Sequence, residues 1–225
     1  MFIGHFAVAF ATKRIAPQVS LGVLFFSCQL ADLLWPNLVL LGVESFRIDP
    51  GNTAMTPLSF DSYPYSHSLV ALLVWGALFG AAYAGLSRGG VRAALIVSSL
   101  VLSHWLLDVI THRPDMPITV GDSWRIGFGL WNMPAAAISA ELLLFTGGVW
   151  IYVGQTKARD RIGSIGLWGL VGFLATLYAA SILGPLPPSI TAVAWSAQAV
   201  WLVVIWAYWI DRHRAPVDRP ARASI

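Results

Sequence analysis

The sequence predicts an all-α integral membrane protein with about six transmembrane helices and a short N-terminal half-helix. Composition and pattern lead to this fold class. Of the 225 residues, 57% are hydrophobic and only 11% are charged, whereas about 25% of the residues in a soluble domain are charged. The apolar residues form continuous runs rich in Leu and Ala, not the alternating pattern of a membrane β-barrel. This composition excludes a soluble globular enzyme and a disordered chain.

Six apolar runs are long enough to cross about 30 Å of hydrocarbon, which takes roughly 20 helical residues. The predicted spans are residues 20–43, 66–86, 91–110, 134–153, 163–183 and 190–210. Residues 1–11 are also apolar, but they amount to about 17 Å of helix, too short to cross. Because Lys13 and Arg14 follow this run rather than precede it, it is not typical of a signal peptide. We expect a re-entrant or interfacial half-helix there.

The basic residues predict the orientation of the helices. If the loops alternate across the six spans, Arg47, Arg113 and Arg125 lie on one side and the other Lys and Arg residues lie opposite. That larger group is Lys13, Arg14, Arg88, Arg92, Lys157, Arg159, Arg161, Arg212, Arg214, Arg219 and Arg222. Cytoplasmic loops carry the excess of Lys and Arg. The sequence therefore predicts a single helical membrane domain over residues 1–211 and a basic, disordered cytoplasmic tail over residues 212–225.

The same charge distribution argues against a nucleic-acid partner, because the basic residues follow topology instead of forming one patch. The single cysteine, Cys28, excludes an internal disulfide and a cysteine-rich metal site.

Three acidic residues fall inside the predicted spans: Asp32, Asp108 and Glu141. A charged side chain near the bilayer centre costs at least about 2.5–3.5 kcal/mol, so each of these residues needs a partner or a role. His104, Asp108 and His112 follow one another at intervals of four, which places all three on one helical face. This spacing favours imidazoles and a carboxylate converging on a divalent metal ion.

Two further histidines fit the same site. His67 begins the second predicted span, where Ser66 is a plausible N-cap and the positive helix terminus disfavours a protonated imidazole. A half-helix entering from the cytoplasm would raise His5 to the same level. The candidate metal ligands lie in the outer half of the bilayer, and they are His5, Asp32, His67, His104, Asp108 and His112.

Each candidate also has a purely structural interpretation. A single buried histidine is commonly a packing residue, and His104 with Asp108 can form a hydrogen-bonded pair without metal. Asp32 can pair with Ser27 or with a backbone group, and Glu141 can be a polar contact between helices. The sequence from His112 to Asp115 can end the helix and begin a turn.

Imidazole and carboxylate ligands favour zinc, with manganese or iron as alternatives. The donors exceed the four of one tetrahedral ion, so one or two ions are expected, with Asp108 bridging a pair. Such clusters are suited to phosphoester hydrolysis. Asp32 and Glu141 are candidates for the general base. At the outer mouth, Arg113 and Arg125 are candidates for holding a phosphate, and Trp131 for a lipid-facing lip.

The first half of the chain resembles a known family. Four elements carry the likeness: Gly4-His5, Asp32 before Trp35-Pro36, Ser66-His67-Ser68-Leu69, and His104-Trp105-Leu106-Leu107-Asp108. They resemble the predicted membrane-bound metal-dependent hydrolases of the bacterial inner membrane, a group that includes a LexA-regulated protein. The order of ligands is also similar to that of zinc-dependent phospholipases C, which implies His5, Asp32, His67, His104, Asp108, His112 and Glu141 as the metal site.

Together these observations predict a metal-dependent hydrolase that acts with an activated water on a lipid or lipid-linked ester or phosphoester near the outer leaflet. The alternative is a metal-ion or proton-coupled transporter, in which intramembrane His and carboxylate groups line a path. A transporter requires polar residues that continue to the cytoplasmic face. The fifth and sixth spans contain no acidic residue.

Overall fold

The computed structural model describes residues 1–87, 89–121 and 124–217. The chain is mostly helical. Its helices are α1 (Ile3–Thr12), α2 (Leu21–Cys28), α3 (Leu30–Leu40), α4 (Pro64–His67), α5 (Leu69–Leu86), α6 (Gly90–Thr111), α7 (Pro134–Gln155), α8 (Arg161–Leu183), α9 (Ile190–Ala197) and α10 (Ala199–Arg212).

Five segments in the described part of the chain are long and apolar enough to cross a membrane, namely α5, α6, α7, α8 and the continuous pair α9–α10. The pair α2–α3 makes a sixth if its two helices form one span. The prediction of a helical, multi-pass membrane protein is therefore confirmed. Which side each terminus faces stays a prediction.

The first predicted span is broken. α2 and α3 meet at Gln29 with a bend of 53°, where the sequence indicates one continuous run. The Cys28 carbonyl accepts a hydrogen bond from His104 Nδ1 (2.7 Å) at this bend. About two turns later, Pro36 has no N–H to donate to the Asp32 carbonyl. The break places Asp32 in the first turn of α3, inside the bundle.

α1 is buried within the bundle. Ile3, Phe6 and Phe10 are at most 1% exposed. The backbone of Ala7 lies so close to Gly148 of α7 that a side chain at position 148 would collide with the Ala7 backbone. The helix has 10 residues, so the prediction that this segment is too short to cross is confirmed. Because α1 packs against α2 and α7, it does not lie at the membrane surface as the interfacial interpretation of this segment expected.

Short antiparallel strand pairs, which the sequence did not indicate, join the helices. β1 (Ser45–Ile48) pairs with β2 (Leu58–Ser62), and β3 (Met116–Pro117) pairs with β4 (Arg125–Ile126). The β1–β2 hairpin follows the end of α3 and precedes α4 and α5. We call this end of the bundle the hairpin end.

At the opposite end, β5 (Thr156–Ala158) pairs with β6 (Arg214–Pro216). Arg214 is buried, and its guanidinium donates to the carbonyls of Thr156 (3.0 Å) and Gly163 (2.9 Å). The prediction that disorder begins after Asp211 is therefore wrong for residues 212–217. The rest of the predicted tail, residues 218–225, lies outside the described residues, as do Arg88 and Asp122.

Candidate metal centre

Two groups of potential metal ligands lie at the hairpin end and share one residue. The first is His5, His104 and Asp108, and the second is Asp32, His67 and His104. Within each group, one ligand atom from each residue lies within 4.8 Å of the others. These five residues come from α1, α3, α4 and α6, so the predicted convergence of separate helices on one cluster is what the structure contains.

Asp108 lies at the centre of the cluster. Its Oδ1 is 3.1 Å from His5 Nε2, while its Oδ2 is 3.1 Å from His104 Nε2 and 4.0 Å from His67 Nε2. The amino group of Met1 forms an ion pair with Oδ1. The two oxygens of this carboxylate thus face different histidines.

Asp32 supplies the second carboxylate. Its Oδ1 is 3.5 Å from His67 Nε2 and 3.7 Å from His104 Nε2. Its side chain is 32% exposed, against at most 6% for the other four members of the cluster. The alternative pairing with Ser27 is not adopted, because the Ser27 hydroxyl donates to the Val23 carbonyl of its own helix (2.7 Å).

His104 is held in the tautomer that a metal ligand needs. A carbonyl only accepts hydrogen bonds, so the contact of Nδ1 with the Cys28 carbonyl (2.7 Å) places the proton on Nδ1 and leaves a lone pair on Nε2. His104 Nε2 is buried without a hydrogen bond among the described residues. Histidine ligands characteristically donate their second nitrogen to a carbonyl or a carboxylate in this way.

His67 reaches the same tautomer through a relay. The Ser66 hydroxyl donates to Glu44 Oε2 (2.6 Å) and accepts from His67 Nδ1 (2.7 Å), which leaves the lone pair on Nε2. Glu44 Oε1 also accepts the backbone N–H groups of Tyr65 and Ser66, both at 2.8 Å. Glu44 is only 2% exposed. In the sequence it appears as an ordinary loop acid.

The role predicted for Ser66 as a helix cap is wrong. The N-cap of α5 is Ser68, whose hydroxyl accepts from the Ala71 N–H (3.1 Å). Pro64 begins a separate short helix, α4, and His67 ends it. His67 thus precedes the long helix, and its Nδ1 is held by the Ser66 hydroxyl (2.7 Å).

His112 lies beside the cluster and not within either group. α6 ends at Thr111, and His112 is its C-cap, whose N–H donates to the Asp108 carbonyl (2.8 Å). Its Nδ1 is 3.0 Å from Asp115 Oδ1, and Trp131 lies against its ring with the centroids 4.3 Å apart. Burial lowers the pKa of His112, which favours the neutral imidazole. The alternative that His112 ends the helix is confirmed.

Glu141 contacts α1 instead of the histidines. Its Oε2 accepts the backbone N–H groups of Phe2 (2.8 Å) and Gly4 (3.1 Å). A carboxylate at this position satisfies N–H groups that have no partner within the helix and complements the helix dipole. Glu141 therefore fixes the start of the helix that carries His5. Its predicted role as general base stays a prediction.

Arg113 and Arg125 hold the loops together. Arg113 donates to Ser59 Oγ (3.0 Å) and contacts Asp115 Oδ2 (3.3 Å). Arg125 donates to the Asp61 carbonyl (2.6 Å). Neither lines the small cavity beside the cluster. Phosphate binding by the two arginines stays a prediction, and these contacts give it no support.

A cavity of about 110 Å³ adjoins the cluster. Its lining includes Asp32, His67, Asp108, His112 and Trp131. Five of the predicted site residues thus face one small polar space. His5 and His104 lie at its buried side, through their contacts with Asp108. Trp35 also lines this cavity, and the sequence gives no signal for its role beyond its place in the Trp-Pro pair.

No family model matches the chain, and no curated protein or solved structure matches it either. The site is therefore described by its own chemistry. Buried histidines and aspartates of this multi-pass membrane protein form two groups that can hold a metal ion.

Proposed function

We propose that this protein is a membrane-embedded, metal-dependent hydrolase of the bacterial inner membrane. Its substrate would be a lipid or lipid-linked ester or phosphoester, reached from the outer leaflet. The resemblance in the first half of the chain and the chemistry of the cluster support the same reaction class.

The observation that carries the proposal is the direction of the imidazole nitrogens. His67 and His104 both present Nε2 towards the carboxylates of Asp32 and Asp108, because acceptors fix their Nδ1 protons. Asp32, His67 and His104 thus each offer one ligand atom, and these atoms lie within 4.8 Å of one another. His104 Nε2 has no hydrogen-bond partner among the residues that the structure describes, and it lies 3.1 Å from Asp108 Oδ2.

The donor set fits a divalent cation of the zinc, manganese or iron type, since it combines neutral imidazole nitrogens with carboxylate oxygens and no thiolate. Such an ion, when bound, lowers the pKa of a water and polarises a phosphoryl or carbonyl oxygen. Asp32, His67 and His104 would hold one ion, and His5 and Asp108 would contribute ligands to a second if two ions bind.

The chain's own groups supply the other parts of catalysis. Asp32 is the most open carboxylate of the cluster and lines the cavity, so it is placed to take a proton from an attacking water. Trp131 covers His112 at the rim. Glu141 acts as a positioning residue, because it anchors the helix that presents His5.

The first test is metal analysis of protein purified without chelators. We expect about one or two divalent ions per chain in the wild type and a loss of metal in Asp108→Ala. Asp211→Ala is the matched control, because Asp211 also pairs with a buried cation, Lys13 (2.8 Å), but at the opposite end. A wild type without stoichiometric metal, or an Asp108→Ala protein that keeps it, would overturn the metal centre.

The second test is activity in proteoliposomes of phosphatidylethanolamine and phosphatidylglycerol, with products analysed by mass spectrometry. We expect metal-dependent release of a lysolipid, diacylglycerol or headgroup that stops in Asp108→Ala and continues in Asp211→Ala. Metal-dependent ion flux into the vesicles without any lipid product would instead favour the transporter.

A further inference from the structure

A second cavity, apolar and larger, lies next to the cluster. Its volume is about 300 Å³, within the lower range of small-molecule pockets. It lies between α1, α8 and the α9–α10 pair, and its walls include Phe2, Phe6, Leu174, Leu177, Val200 and Val203. Proposed catalytic chemistry at the cluster has no use for such a space unless the substrate has an apolar part.

The two cavities share walls. Asp32 and Trp35 line both the apolar cavity and the small polar one. This shared border is consistent with the 32% exposure of the Asp32 side chain in an otherwise closed cluster. One molecule can therefore occupy both spaces, with a polar group beside Asp32 and an apolar chain beyond it.

Trp35 provides an independent sign of a missing ligand. Its side chain is only 6% exposed, and its Nε1 has no hydrogen-bond partner among the described residues. Buried polar groups are nearly always paired, and an indole N–H can only donate. An oxygen atom of a bound molecule at the border of the two cavities is the partner that this N–H lacks.

The depth of the apolar cavity fits a lipid. Leu177 lies six residues before the end of α8 at Leu183, which is about 9 Å along the helix axis. That distance is less than half of a hydrocarbon core about 30 Å thick. The neighbouring outward-facing side chains of Trp195 and Leu202 are 64% and 67% exposed, as expected for helices that contact lipid. A second chain of the same molecule can stay in the bilayer.

We propose that the apolar cavity binds one acyl chain of a membrane lipid whose ester or phosphoester group lies in the polar cavity, where the Trp35 N–H donates to a headgroup oxygen. This inference rests on the proposed hydrolase function and names its substrate class as an acyl lipid. It also makes Trp35, Leu177 and Val200 determinants of chain binding. The cavity volume accommodates part of one chain, not two.

The test uses the full chain in nanodiscs of phosphatidylethanolamine doped with phosphatidylglycerol that carries a diazirine in one acyl chain. After illumination, labelled peptides are mapped by mass spectrometry. We expect labelling of α8 and α10 at cavity residues such as Leu177 and Val200. Leu177→Trp fills the cavity, and Leu202→Trp makes the same change on the lipid-facing surface. Only Leu177→Trp should lose the cavity labels, and both variants should keep their metal.

Activity separates this inference from the proposed function. Because remote parts of a substrate contribute binding energy used at the reacting centre, we expect Leu177→Trp to hydrolyse the long-chain lipid about tenfold more slowly. Its hydrolysis of a short-chain, water-soluble analogue should match that of Leu202→Trp. Trp35→Phe keeps an aromatic side chain, although a smaller one, and removes the N–H donor, so both substrates should react about two- to tenfold more slowly, the contribution of one neutral hydrogen bond.

Each contrary result has a separate meaning. Lipid hydrolysis in the wild type with equal labelling and equal activity in Leu177→Trp would overturn the chain site and leave the hydrolase standing. Cavity labelling that Leu177→Trp abolishes, without hydrolysis of any substrate, would support the chain site and overturn the hydrolase.

Discussion

The two ends of the bundle both bury charged groups, but they treat them differently. At the end opposite the hairpin, Lys13 donates to Asp211 (2.8 Å) and to the Val19 carbonyl (2.7 Å). Arg214 donates to both the hydroxyl and the carbonyl of Thr156 and to the Gly163 carbonyl, all within 3.0 Å. These cations have their hydrogen-bond partners within the protein.

At the hairpin end, His104 has a hydrogen-bond partner on only one ring nitrogen among the described residues. Outer partners, the Ser66–Glu44 pair and the Cys28 carbonyl, hold the Nδ1 side of the His67 and His104 imidazoles. The near side, where His104 Nε2 has no hydrogen bond, faces two carboxylates. The comparison teaches that a buried polar group with a complete set of partners serves stability, whereas one held on its outer side alone is arranged for a ligand.

Of the substitutions that test this difference between the two ends, His104→Ala is expected to have the largest effect. His104 belongs to both ligand groups, so the variant should lose all bound metal, and lipid hydrolysis should fall by on the order of a thousandfold. His5→Ala removes a residue of one group only and should keep part of the metal. Elemental analysis and the proteoliposome assay measure both quantities.

His213→Ala is the matched histidine control, because His213 pairs with Asp160 at the opposite end. It should keep full metal content. Equal metal contents in His104→Ala and His213→Ala would remove the proposed distinction between the two ends.

A smaller effect is expected from Glu44→Gln. The new amide can donate to the Ser66 hydroxyl, which would then donate to His67 Nδ1 and move the imidazole proton to Nε2. Changes in such outer partners typically lower metal affinity by about 10- to 100-fold. Chelator competition measures the affinity, and ¹⁵N NMR of labelled histidine reports the tautomer.

Asp61→Asn serves as the control for Glu44→Gln, because Asp61 pairs with the exposed Arg47 in the same hairpin. It should change neither quantity. A Glu44→Gln protein with normal affinity and an unchanged tautomer would show that the relay does not position His67.

Arg214→Ala tests the closed end. The variant leaves the Thr156 and Gly163 carbonyls without their donor, so the free energy of unfolding should fall by about 1–3 kcal/mol. Metal content should not change. Denaturant titration in mixed micelles gives the stability, and Arg47→Ala, at a position whose side chain is 65% exposed, should have little effect. A loss of metal in Arg214→Ala would mean that the two ends are coupled.

The smallest effect is expected from the pH dependence of the Asp160–His213 pair. The hydrogen bond from His213 Nδ1 to Asp160 (2.7 Å) lowers the pKa of this carboxyl below its ordinary value of 3.8. Its stabilising contribution is therefore complete above the ordinary pKa and is lost as the pH falls through the lower native pKa. Asp160→Asn should melt slightly earlier than the wild type at neutral pH and at the same temperature in strong acid. A constant difference across this range would assign the effect to the N-cap of α8 instead.

The parts of the site that follow helical spacing could be predicted from the sequence. His104 and Asp108 lie four residues apart on one continuous helix, so their proximity follows from helix geometry alone. His112, four residues further on, is the C-cap of α6 and lines the same small cavity as Asp108, but it belongs to neither ligand group. The six apolar runs were recognisable, but the bend at Gln29 depends on a tertiary contact with His104.

The outer partners could not be predicted in this way. Glu44 and Ser66 are 22 residues apart and meet only because the β1–β2 hairpin returns the chain. The unpaired indole N–H of Trp35 and the apolar cavity beside it depend on four helices that are distant in sequence. Local patterns therefore predicted the residues that form the cluster, whereas the groups that hydrogen-bond to them could be found only in the assembled fold.

The anchoring of α1 by Glu141 has a consequence for biogenesis. His5 precedes every other residue of the cluster in the chain, yet the helix that carries it is held at its start by a side chain of α7. α1 is too short to cross the bilayer by itself, so it must wait for a later helix before it can take its final position. We expect the cluster to be completed only after residue 141 has been translated and inserted, and ribosome-arrested chains that stop before α7 should therefore fail to retain metal.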